Sequence, residues 1–176
     1  MVGREPDYGP TARAVAENIA LLRESQQLTF TRLSERLTKI GWPLTPAAVR
    51  RVENCERRVT VDDLAAFAIA LKVSPATLLM PHVGTAGRER HVTVTGNQSH
   101  HSAITTAHDV WEWLTAQRFV LRTVDLLSFG SLSWPRWVRD EVEHDLQMER
   151  EWTQEAMNRL GNQLLHSSDS NPDTRS

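Results

Sequence analysis

Between Thr11 and Pro81, a Ser or Thr stands five times just ahead of an apolar repeat of helical period: Thr11, Thr29, Thr45, Thr60 and Ser74. No other feature of the chain constrains its fold as tightly. A hydroxyl at the N-cap accepts a bond from an orphan amide of the first turn, so each of these residues marks a helix start. The stripes that follow are Val15, Ile19 and Leu22; Phe30, Leu33, Leu37 and Ile40; Val49 and Val52; Leu64, Phe67, Ala68 and Leu71; and Leu78 with Leu79. Their spacing places each set on one helix face. Thr60 and Asp63 add capping-box spacing, with Asp in place of Glu or Gln. Stops fall at Gln26-Gln27-Leu28, Gly41-Trp42-Pro43, Cys55 to Arg58, Lys72-Val73 and Pro81. Five short helices without a credible strand predict a compact all-α domain over residues 11–82. Residues 1–10, with two prolines and two glycines, read as a loose arm.

The third of these helices carries the chemistry. Thr45 caps it, and Pro46 at the first helical position has its φ already set. With Val49 and Val52 on the buried seam, Ala47, Ala48, Arg50 and Arg51 are left for the surface. Small residues lead and guanidinium forks follow, a pattern suited to a DNA major groove, where Arg bonds guanine O6 and N7. A plain surface helix with two solvated arginines fits the same residues. The neighbourhood tips the balance towards DNA. From Arg32 to Arg58 there are seven basic residues (Arg32, Arg36, Lys39, Arg50, Arg51, Arg57, Arg58) against three acidic ones. Arg32, Arg36 and Lys39 form a basic face on the second helix. Arg57 and Arg58 follow the third in a loop, where a flexible cation finds phosphate.

Four pieces of sequence sharpen this reading: Leu-Arg-Glu at 22–24, Leu-Thr-Phe-Thr-Arg-Leu-Ser at 28–34, Val-Arg-Arg-Val-Glu-Asn at 49–54, and Leu-Lys-Val-Ser-Pro-Ala-Thr-Leu-Leu at 71–79. Together they resemble a lambda-repressor-like (XRE/Cro-type) helix-turn-helix domain, as found in bacterial and phage regulators. The resemblance implies that the second helix crosses the DNA backbone and the third lies in the major groove. It makes Thr45, Pro46, Ala47 and Arg51 base-facing and brings Arg50 and Asn54 nearer the phosphates. Three positions depart from the pattern. Phe30 replaces a Gln that grips the backbone. The turn at Thr38 to Trp42 is longer by several residues. Cys55 stands where Gly usually follows the recognition helix, and Asn54 is expected to take the left-handed conformation in its place.

The second half is less patterned. Residues 83–91 read as a linker. Val92 to Thr95 alternates like a short strand, which would need a partner. Thr106 and Asp109 repeat the capping-box spacing, with Val110, Trp113 and Leu114 behind them. Phe119 to Phe129 fits strand or helix, and Gly130-Ser131 is expected to break it. Pro135 opens a long helical stretch to about Asn162, with Val138, Val142, Leu146, Trp152, Ala156, Leu160 and Leu164 as its stripe and Glu149 as an interruption. Four of the six tryptophans lie between Trp111 and Trp137, as a small core or part of a subunit interface. Residues 92–166 are thus a mostly helical C-terminal region suited to homodimerisation, and 167–176 a disordered polar tail.

Charge is uneven: 11 basic against 9 acidic residues through His82, then 9 against 13. The basic excess therefore coincides with the helix-turn-helix stretch. No apolar run reaches membrane-spanning length and no charged-then-apolar leader opens the chain, so a soluble, cytoplasmic protein is expected. The single Cys55 fits a reducing compartment. The histidines at 82, 91, 100, 101, 108 and 144 lack a structural zinc spacing, and Glu141, Glu143, Asp145, Glu149 and Glu151 read as a solvated helix face. No phosphate loop, nucleophile elbow or zincin motif occurs, so no cofactor, metal or enzyme activity is expected. The sequence points to a sequence-specific DNA-binding transcriptional regulator, most simply a repressor. Its alternative is an antitoxin-like protein-interaction module whose C-terminal half covers a protein partner.

Overall fold

The structure, a computed structural model, describes residues 8–83, 87–95, 105–120 and 124–168. Among them the chain is mainly helical, without a strand: α1 (Pro10–Ser25), α2 (Phe30–Lys39), α3 (Pro46–Glu53), α4 (Val61–Leu71), α5 (Pro75–Leu79), α6 (Ala107–Leu114), α7 (Leu126–Ser133) and α8 (Arg136–Ser168). The chain divides into two compact units, one ending at Phe129 and one starting at Gly130. That division lies well beyond the 83–91 stretch, because α6 packs on α5 and Thr95 N–H donates to Thr11 Oγ1 at 2.9 Å.

The caps act as their spacing requires. Thr29 accepts from Arg32 N–H, Thr45 from Ala48 N–H and Ser74 from Thr77 N–H. Thr60 with Asp63, and Thr106 with Asp109, each close a reciprocal capping box. Only α1 differs: it is capped at Gly9 with Pro10 at its first position, which frees the Thr11 hydroxyl for the bond to Thr95. The C-termini of α1, α2, α3, α4 and α6 share one device, whereas α5 ends in extended backbone at Met80. Gln27, Gly41, Cys55, Lys72 and Ala116 all adopt positive φ. Around each, paired amide bonds such as Trp42 N–H to Leu37 O and Gly41 N–H to Thr38 O satisfy the last carbonyls, the Schellman arrangement. Only one of these residues is glycine.

The apolar stripes of α1 to α5 meet in one core, with Ile19, Leu33, Leu37, Val49, Val52, Phe67, Leu71 and Leu78 fully buried. Asn18 fastens the first helix to the fifth by donating to the carbonyls of Leu78 and Met80 at 2.9 and 2.6 Å. Arg36 reaches the C-terminus of α4, donating to Ala70 O at 3.2 Å and to Gln26 Oε1 at 2.8 Å, while Gln26 donates to Leu71 O.

Two expectations for the second half are corrected. Residues 92–95 form no strand; pairing there is a single antiparallel bridge between His91 and Thr106. Gly130 does not break the chain but lies inside α7, where it is buried because the Trp134 ring occupies the space of a side chain. A methyl group at Gly130 would stand 2.5 Å from Trp134 Cζ3. In the second unit α8 runs to Ser168, past the expected end near Asn162. None of Trp111, Trp113, Trp134 and Trp137 is buried, and they are split between the two units. Residues 1–7 and 169–176, parts of the expected arm and tail, lie outside the described residues.

Candidate nucleic-acid interface

α3 is seated by two valines. Val49 and Val52 are both fully buried, so the helix can turn only one face outward. Ala47, Arg50, Arg51 and Asn54 recur at i, i+3, i+4 and i+7 on that face and are all exposed. Thr45 and Pro46 are exposed at its leading end. Among the described residues, neither Arg51 nor Arg58, both exposed, has a side-chain hydrogen-bond or ion-pair partner. Asn54 Nδ2 donates to Glu56 Oε1 at 3.1 Å. On α2, Arg32 is exposed and faces Glu35 at 3.4 Å.

The far end of α3 is clamped to α1. Arg23 donates from Nε to Glu53 Oε1 at 2.7 Å and from Nη2 to Glu53 Oε2 at 2.8 Å, a bidentate pair with both side chains nearly closed to solvent. Its remaining donors reach Leu28 O and Glu24 Oε1, each at 3.1 Å. The bonds to Glu53 raise the Arg23 guanidinium above its ordinary value despite burial. The same guanidinium lies 4.3 Å from the centre of the Phe30 ring, and Arg50 lies over that ring at 5.0 Å. Sequence reasoning treated Phe30 as part of the apolar stripe of α2 and as a missing backbone contact, and did not single out Arg23 or Glu53.

The long turn before α3 is also anchored. Gly41 takes φ 82°, and Ser34 Oγ donates to Leu44 O at 2.5 Å. The Trp42 indole donates to Asp63 Oδ1 at 2.9 Å. Arg57 reaches the same carboxylate, at 3.1 Å from Oδ2, so Arg57 and Arg36 are both turned towards the protein. Burial pushes the fully enclosed Asp63 carboxyl up. Bonds from the Thr60 amide, the Trp42 indole and Arg57 outweigh that burial and hold it below the usual carboxylate range. A depressed carboxyl stabilises the fold above its unfolded value, about 3.9, and that contribution is lost as pH falls through the lower folded value. Asp63→Asn is therefore expected to be less stable than the wild type at pH 7, and to lose less stability between pH 5 and pH 3. Urea titrations at both pH values measure the difference.

At the C-terminus of α3 the expected exchange of roles does not occur. Asn54 stays right-handed at φ −81°, and Cys55 takes φ 57°. The helix keeps Asn54 as its cap. Cys55 N–H then donates to Val52 O and Glu56 N–H to Arg51 O, bonds that offset the left-handed strain. Burial pushes the Cys55 thiol up, away from the reactive thiolate. Cys55→Gly relieves the strain and is expected to raise stability by roughly 1 kcal/mol, read as a higher urea midpoint at unchanged slope.

Among the described residues no His, Cys, Asp and Glu side chains gather into a group able to hold a metal ion, and no helix is long and apolar enough to cross a membrane. No family model matches the chain, and neither the curated proteins nor the solved structures contain a match to it.

Proposed function

We propose that this protein is a sequence-specific DNA-binding transcriptional regulator, a cytoplasmic repressor of bacterial host or phage type. In this reading its first five helices form a lambda-repressor-like helix-turn-helix domain of the XRE kind. α3 enters the major groove of double-stranded DNA, and the protein acts by binding rather than by catalysis. One observation carries the reading: α3 turns Ala47, Arg50, Arg51 and Asn54 outward from a fully buried Val49–Val52 seam. Small residues at the leading end permit close approach, and the guanidinium forks match guanine. Arg32 and Arg58 supply phosphate contacts beside them. Selection of bound sequences from random duplex DNA tests the proposal. Enrichment of one short motif is expected, and recovery of unenriched duplex at every round sinks it.

The reading includes a homodimer through the C-terminal region. α8 spans 33 residues, roughly 50 Å, and leaves Trp137, Met148, Trp152, Met157 and Leu160 exposed. A second copy would cover such a surface and supply the two-fold partner that helix-turn-helix readers use. Sedimentation of the full chain at micromolar concentration is expected to show a dimer, and a strict monomer counts against it. The same exposed residues favour the second reading, an antitoxin-like module whose C-terminal half covers a different protein. Co-purification of a stoichiometric protein partner, with no duplex enriched, would select that alternative.

A further inference from the structure

Phe30, Arg23 and Arg50 form an arrangement whose parts come from three helices. Glu53 on α3 fixes Arg23 of α1 by two short bonds. The Arg23 guanidinium lies over the ring of Phe30, the first residue of α2, and Arg50 of α3 lies over that same ring. Arg50 is otherwise exposed and has no carboxylate partner among the described residues. A guanidinium resting on an aromatic face gains a cation–π contact there and keeps its in-plane N–H donors free. Beside the pair is a cleft of about 490 Å³ between the starts of α2 and α3, lined by Phe30, Thr31, Pro46, Ala47 and Arg50 among others. Thr29 and Arg51 complete the lining, and more of its surface is apolar than polar.

We propose that Phe30 holds Arg50 as a fork for guanine O6 and N7, and that the cleft accepts the 5-methyl of an adjoining thymine. The inference rests on the DNA-binding reading and deepens it: Arg50 becomes a base reader rather than a phosphate contact, and Phe30 its positioning residue. The physical reason is entropy. A free arginine must give up much rotamer freedom to bond bidentately, whereas one already laid on a ring gives up less. An apolar cleft next to a paired donor suits the major-groove edge on which a thymine methyl adjoins a guanine.

The test uses the full chain and the duplex it selects best. Phe30→Leu keeps an apolar side chain of similar reach and removes the aromatic face; Phe30→Tyr keeps the face. Phe30→Leu and Arg50→Ala are expected to lose preference at the same guanine, by on the order of tenfold, while Phe30→Tyr retains it. The salt dependence of Phe30→Leu should stay that of the wild type, since no phosphate contact is lost. A second measurement does without a substitution at the half-buried Phe30 and uses only the wild type and the exposed Arg50→Ala. Replacing that guanine with 7-deazaguanine should weaken wild-type binding and leave Arg50→Ala unaffected, and uracil for the adjoining thymine should weaken the wild type. Retained guanine preference in Phe30→Leu, or a 7-deazaguanine penalty unchanged in Arg50→Ala, overturns the inference alone. Failure of the wild type to select any sequence overturns the DNA reading with it.

Discussion

Glu53→Ala is expected to destabilise the first unit by about 3–5 kcal/mol, the cost of leaving one member of a buried pair without its partner. Arg23 would keep its bonds to Leu28 O and Glu24 but lose both short bonds to Glu53, and its charge would stay buried. Against the 5–15 kcal/mol that a domain commonly has in hand, this is a large share. Replacing both members with apolar residues of similar length, Arg23→Met with Glu53→Leu, should recover most of the loss, because no uncompensated charge remains. Urea unfolding of the full chain and of these two variants measures both differences. If the double variant were as unstable as Glu53→Ala, the cost would lie in lost packing rather than an orphaned charge. The pair also bears on the outer surface, since α3 has only Val49 and Val52 fully buried and depends on Glu53 to fix its far end against α1.

Arg51→Ala and Arg58→Ala are expected to fail in different ways. Arg51 is exposed on the outward face of α3, and its side chain is free to fork a base; Arg58 is exposed in the loop beyond Cys55. A bidentate arginine–guanine contact discriminates by about 1–3 kcal/mol, whereas a phosphate contact carries no direct sequence information. Arg51→Ala should therefore weaken the selected site by about tenfold or more, affect scrambled duplex far less, and relax preference at one or two base pairs. Arg58→Ala should weaken both duplexes by a similar factor and reduce the steepness of salt dependence by roughly one unit. Salt titrations with specific and scrambled duplex separate the two. Equal losses from Arg51→Ala on both duplexes would remove Arg51 from the proposed base-reading residues.

The cluster around α3 had seven basic residues in sequence, and the fold treats them unequally. Arg36 and Arg57 looked like members of one basic surface with Arg32, Arg51 and Arg58. Tertiary packing turns Arg36 to the end of α4 and Arg57 to Asp63. Helical periodicity assigns a residue to a face, but long side chains bend to whatever polar group lies within reach. For Arg36 that group is Ala70 O, 34 positions away. The same limit hid the Arg23–Glu53 pair, which joins residues 30 apart, and the Phe30 platform for Arg50.

Local chemistry, by contrast, was readable at every expected cap but Thr11, since α1 is capped at Gly9. Thr29, Thr45, Thr60, Ser74 and Thr106 determine where their helices start, because a cap needs only the next three amides. Val49 and Val52 determine which side of α3 faces out, because two buried residues three apart fix the helix's rotation. The ends were harder. Residue preference pointed to Asn54 for the left-handed position and to Gly130 as a break. The structure gives the first role to Cys55, where paired amide bonds close the turn, and places Gly130 inside α7, where the Trp134 ring needs the missing side chain. Starts were set by groups adjacent in sequence; stops, and the choice of which arginines remain on the surface, were set by partners that only the folded chain brings near.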